Sequence, residues 1–181
     1  MLDIYLQGAI IDFHSVIPIA LIIFCVFTVV KFLVKRKYEF KPLSVLCEFA
    51  WILTVLTILK ITGIIGDYFG TTSFCDGIVN FSFSLFKESL SIATLLNIVL
   101  FIPFGFLSAI IFKKLRNKWI YGILIGFIFS VIIEFLQTFN GRYGSLQDVI
   151  MNTIGTFIGY GIWFWLSKFN QKKKNGYRFV E

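Results

Sequence analysis

The stretch Glu134-Phe-Leu-Gln137-Thr-Phe-Asn-Gly-Arg142-Tyr-Gly-Ser-Leu-Gln-Asp148-Val-Ile-Met-Asn152-Thr-Ile-Gly155 joins two long apolar segments. Among its side chains are the carboxylates of Glu134 and Asp148, the amides of Gln137 and Asn152, and the guanidinium of Arg142, set at the junction. Ionisable groups at a membrane boundary are costly to desolvate, so they need partners or serve a task. The apolar flanks predict two antiparallel helices with a short connection. Gly141 is expected to end the first as a left-handed residue, and Ser145 to open the second as its N-cap.

Helical periodicity sharpens this reading. At about 100° per residue, Gly122, Gly126, Ser130, Glu134 and Gln137 share about one third of the first helix. Asp148, Asn152, Gly155 and Gly159 form a narrower stripe on the second. Each stripe contains small residues four apart, a spacing that lets helices approach closely in lipid, so the two stripes are expected to face each other. At about 1.5 Å per residue, Glu134 and Asn152 lie roughly 6–10 Å below the turn, at matching depth. Asn97 lies about one turn below the end of the preceding apolar segment, where Pro103 frees the Val99 carbonyl. The expected functional cluster is therefore Asn97, Glu134, Gln137, Arg142, Asp148 and Asn152.

A purely structural reading competes at each position. Ser145-Leu-Gln-Asp148 fits a capping box, Glu134 and Arg142 could form a rim ion pair, and the asparagines could glue helices. Gluing three helices does not require two acids, an arginine and three amides at one depth.

The wider sequence is that of a membrane protein. Hydrophobic residues make up 57% of its 181 positions and charged ones only 15%, with a mean hydropathy of +0.84. Soluble domains carry about 25% charged residues, which excludes that class here. Five apolar runs, about 16–34, 43–65, 93–112, 119–139 and 148–167, each match the roughly 20 residues needed to cross a bilayer. The expectation is an all-α bundle of five transmembrane helices forming one domain over 1–181, with an outer loop at 66–92.

Charge placement predicts an orientation. Of 17 Lys and Arg residues, five lie at 31–41, four at 113–118 and five at 168–178. By the positive-inside rule these clusters face the cytoplasm, giving an N-out, C-in topology. They read as anchors to an anionic leaflet, with no nucleic-acid partner. No cleavable signal peptide is expected, because the first residues lack a positive region. Ser15 is expected to cap the first span, with Pro18 in its first turn and with Asp12 and His14 as a solvated entry. Gly63 and Gly66 close the second span. Lys60 is expected to snorkel outward, with the polar site as its alternative. Residues 79–86 alternate apolar and polar side chains, compatible with a short strand or an interfacial segment. Cys25, Cys47 and Cys75 do not suggest a disulfide framework. No cofactor fingerprint, metal-ligand motif or Ser/His/Asp set is present.

Three motifs resemble the VanZ-like family of membrane proteins. They are Asn97-Ile-Val-Leu-Phe-Ile-Pro-Phe-Gly105, then Glu134-Phe-Leu-Gln137, then Gly-Arg142 followed by Asp148-Val-Ile-Met-Asn152-Thr-Ile-Gly155. The resemblance spans about residues 78–165. The family's turn is more acidic, and Ser145 and Gln147 stand here where relatives carry Asp, which argues against a carboxylate-bound metal. The resemblance implies a multi-pass plasma-membrane protein of a Gram-positive bacterium. It would act at the outer leaflet and lower susceptibility to teicoplanin-type lipoglycopeptides by reducing their binding to the cell surface. Its expected partners are membrane lipids and a lipoglycopeptide or lipid-linked envelope component. Two other classes remain open from the residues themselves. One is an intramembrane enzyme on a lipid headgroup, with Glu134 as acid or base and Arg142 on a phosphate. The other is a small transporter or a structural partner of a membrane complex.

Overall fold

The computed structural model describes residues 2–34, 41–66, 81–82, 92–116, 118–138 and 144–177. Five helices form the architecture: α1 (Leu2–Val34), α2 (Pro42–Ile61), α3 (Ile92–Ile111), α4 (Trp119–Gln137) and α5 (Leu146–Tyr177). All five are long and apolar enough to cross a membrane. A 3-10 turn at Lys113–Arg116 links α3 to α4. Two short strands, β1 (Phe81–Ser82) and β2 (Gly144–Ser145), pair in parallel, Phe81 opposite Gly144 and Ser82 opposite Ser145.

The helices pack in the order α1, α2, α3, α5, α4, with α5 in extensive contact with both α3 and α4. Val16 and Ala20 of α1 bury against Ile52 and Leu56 of α2. Lys31 Nζ lies 2.5 Å from Glu48 Oε1, tying the same two helices near their other end. Ile58, Phe101, Phe104 and Ile133 form a second core between α2, α3 and α4. Within it the Phe104 and Phe129 rings stack at 4.6 Å. Trp51 donates to Ser108 Oγ at 2.9 Å, satisfying an indole N–H that apolar surroundings would strand.

The first span starts earlier than Ser15. α1 is helical from Leu2, and Ser15 Oγ donates to the Asp12 carbonyl at 2.7 Å instead of capping a new helix. His14 Nδ1 lies 2.8 Å from the Ile10 carbonyl of the same helix. The physical reason is composition: Leu2–Phe13 is rich in helix-compatible apolar residues. Pro18 removes one backbone hydrogen bond without a turn sequence to exploit the break. The second span ends at Ile61, before the expected 65. Gly63 takes a left-handed φ of 79°, and its N–H and that of Ile64 return to the carbonyls of Lys60 and Leu59, both at 2.9 Å. This is a Schellman ending, which glycine enters without a Cβ penalty.

The two glycine stripes do not face each other. Gly155 and Gly159 of α5 press on α3, where an added Cβ would overlap the carbonyls of Ile98 and Ile102. Gly105 of α3 completes that seam against the Thr156 backbone. The α4 stripe packs elsewhere on α5: a Cβ on Gly122 would lie 2.6 Å from the Tyr160 ring, and one on Gly126 2.6 Å from Thr156 Cβ. α5 is thus central, with one face for each neighbour. A backbone-to-backbone seam needs a small residue on both sides, and a glycine also accommodates a partner's side chain.

Candidate functional site in the polar end of the bundle

The polar cluster is built where α3, α4 and α5 meet, at the end of the bundle opposite Lys113–Arg116. The last turn of α4 carries Glu134, which is buried at 2% exposure. Its Oε2 accepts the Ser145 N–H at 2.8 Å, across the α4–α5 connection. Ser145 Oγ in turn accepts the Asp148 N–H at 3.3 Å, the first half of a capping box. In a complete box Asp148 would take the Ser145 N–H, the donor bound here by Glu134. Asp148 Oδ1 accepts from Asn97 Nδ2 of α3 at 3.0 Å, so this carboxylate bridges two helices.

One turn deeper, Asn152 Nδ2 donates to Ser130 Oγ at 2.8 Å. Both residues are essentially enclosed, Asn152 at 2% and Ser130 at 0% exposure. Asn152 Oδ1 is a buried acceptor without a hydrogen-bond partner among the described residues. Such an atom costs about 1–3 kcal/mol relative to a satisfied one.

The short β1–β2 pair covers this region. A Cβ on Gly144 would stand 2.6 Å from the Phe81 ring and 3.2 Å from the Glu134 carbonyl. The alternation at 79–86 therefore contains a strand at Phe81–Ser82; its remaining positions lie outside the described residues. Gly144 fits because the Phe81 ring and the α4 backbone at Glu134 both approach its α-carbon.

Five of the six expected site residues are described. Asn97, Glu134, Asp148 and Asn152 converge through the contacts above. Gln137 points elsewhere: its Nε2 donates to the Thr62 carbonyl at 3.0 Å, helping to close the end of α2. Arg142 lies outside the described residues, as do Gly141 and Cys75. The α4 helix ends at Gln137, with Thr138 as its cap. Asp12 and His14 lie on α1, which packs on α2. Lys60 occupies the last turn of α2.

Ser130, Ser145 and Phe81 complete the cluster and were not among its expected members. Ser130 had a legible signal, since it sits one turn before Glu134 on the same stripe. The roles of the Ser145 amide and Phe81 depend on tertiary closure. The described residues gather no group of three His, Cys, Asp or Glu side chains for a metal ion. Chemically, the site offers carboxylate and amide acceptors in a low-dielectric enclosure.

No curated protein and no solved structure matches the chain significantly. The family model described as VanZ/LLP1 does match, over residues 16–167, which contain all five apolar spans and every residue of the polar cluster. The chain is a multi-pass membrane protein that belongs to the VanZ/LLP1 family.

Proposed function

We propose that this protein works in the plasma membrane of a Gram-positive bacterium with its polar cluster in the outer leaflet, and that it lowers the binding of teicoplanin-type lipoglycopeptides at the cell surface. The orientation follows from the basic clusters, which the positive-inside rule assigns to the cytoplasm. The cluster at the opposite end then faces the envelope. A lipid-tailed antibiotic or wall precursor would lay its tail along the apolar helices and present its polar head to the site.

The observation that carries this reading is the buried Asn152 Oδ1 acceptor beside Ser130 and below Glu134. Interhelical glue gains nothing from an orphaned acceptor, whereas a ligand amide or hydroxyl would satisfy it. Enclosure of the Glu134 carboxylate also supports the second reading, acid–base chemistry on a lipid headgroup.

Expression in a susceptible Gram-positive host tests the proposal. Teicoplanin susceptibility should fall while vancomycin, which lacks the lipid tail, is less affected. Unchanged susceptibility to both at good membrane abundance would reject it. Turnover of a purified lipid-linked precursor, lost in Glu134→Gln, would favour the enzyme.

A further inference from the structure

At the opposite end of the bundle, residues of α4, α5 and the turn before α4 line an open groove of about 670 Å³. Its walls are Trp119, Phe157 and Phe164, with the Trp119 and Phe157 rings edge-on at 6.4 Å. Tyr160, itself buried against Gly122 of α4, lines its inner side and donates its hydroxyl to the Leu115 carbonyl at 2.8 Å. Gly161 is also in the lining, and a Cβ built there meets nothing within 4 Å.

Two cations and no carboxylate stand in the lining. Arg116 is held in place: its Nε donates to the Ala109 carbonyl at 3.0 Å, a terminal nitrogen donates to the Ile110 carbonyl, and its Cζ stands 5.6 Å from the Trp163 ring centroid. These contacts use two of five guanidinium donors; the others have no hydrogen-bond partner among the described residues. Lys118 is exposed, and its ammonium makes no hydrogen bond or ion pair among the described residues. Lys113 and Lys114 add charge on the adjoining turn. The groove thus combines an aromatic trough on a membrane-spanning surface with a cationic mouth at the helix ends.

We infer that this groove is a binding site for an anionic phospholipid, with its acyl chain along Trp119, Phe157 and Phe164 and its phosphate between Arg116 and Lys118. Amphipathic aromatic residues favour the headgroup level, and each basic residue near the surface attracts anionic lipid. Charge complementarity selects an anionic over a zwitterionic headgroup. The inference is independent of the function proposed for the polar end.

Native mass spectrometry of the full-length protein in mild detergent provides the test, with phosphatidylglycerol and phosphatidylcholine of matched chains. Two cations predict about a 25-fold preference for phosphatidylglycerol, and Lys118→Gln should cut it about fivefold. Gly161→Leu keeps every charge but fills the groove, so retention of both lipids should fall; this separates a built site from a diffuse basic surface. Excess inorganic phosphate should not displace the lipid. Equal retention of the two lipids, undiminished retention in Gly161→Leu, or displacement by phosphate would each overturn the inference. Lys118→Gln changes only an exposed side chain, so its headgroup preference remains decisive even if Gly161→Leu fails to fold.

Discussion

Gly159→Ala is the smallest perturbation that tests how α5 is seated on α3. The added methyl would overlap the Ile102 carbonyl, and it would lie 2.8 Å from the Phe106 nitrogen. Both are backbone atoms, so no rotamer change relieves the clash. An ordinary carbon contact requires about 3.5 Å or more, so the two helices must separate by at least several tenths of an ångström. That separation loosens the neighbouring Gly155 and Gly105 contacts and stretches the Asn97–Asp148 bond, about three turns away along α5. Overpacking of a tight core costs about 1–3 kcal/mol, or about a 5- to 150-fold shift toward the unfolded state. Gly161→Ala is the internal control, because its methyl enters open space; as a helix-interior Gly→Ala change it should stabilise by up to about 1 kcal/mol. Reversible unfolding of the two variants in mixed micelles measures both. If Gly159→Ala unfolds like wild type or later, the backbone seam between α3 and α5 is wrongly placed.

Three further outcomes follow from the site and its surroundings. A double-mutant cycle of Asn97→Ala and Asp148→Ala should give a coupling of about 0.6–1.7 kcal/mol, typical of interhelical hydrogen bonds in membranes; zero coupling would remove this link between α3 and α5. Lys31→Glu should destabilise the α1–α2 pair, and adding Glu48→Lys should recover part of the loss, because the two groups meet at 2.5 Å; failure of any recovery would show that the pair is incidental. A cytoplasm-active reporter fused after Lys174 should work and one fused at Asp76 should not, with the reverse pattern moving the polar cluster to the inner face.

The spans were legible because a bilayer demands about 20 apolar residues at a time, and this chain supplies them in five runs. The α1 boundary was not, since Ser15 and Pro18 carry the local marks of a helix start while helix continuation from Leu2 depends on the residues before them. Periodicity placed Gly122, Gly126, Gly155 and Gly159 on narrow faces. It could not say which helix each face would meet, because a stripe has the same spacing whether it touches α3 or α4. The same limit explains Gln137, which shares a stripe with Glu134 yet reaches across to the Thr62 carbonyl. Depth was the better guide: Asn97, Glu134, Asp148 and Asn152 lie near one level and do converge. The choice between a capping box and an interhelical bridge at Asp148 needed the third dimension. Its backbone N–H meets the cap while its carboxylate meets α3.

The central claim is that the buried polar cluster is kept for a ligand, and Asn152→Leu tests it most directly. Leucine matches asparagine in branching and heavy-atom count, though its methyl groups are bulkier, and it removes the orphaned acceptor, while Ser130 can turn its hydroxyl to a carbonyl of its own helix. The measurement is fluorescent teicoplanin bound per cell, at matched membrane abundance, for cells carrying no protein, wild type or Asn152→Leu. The account predicts a folded variant, present at matched membrane abundance, whose cells bind as much antibiotic as cells without the protein. Wild-type protection by Asn152→Leu would contradict it and leave the cluster as scaffold.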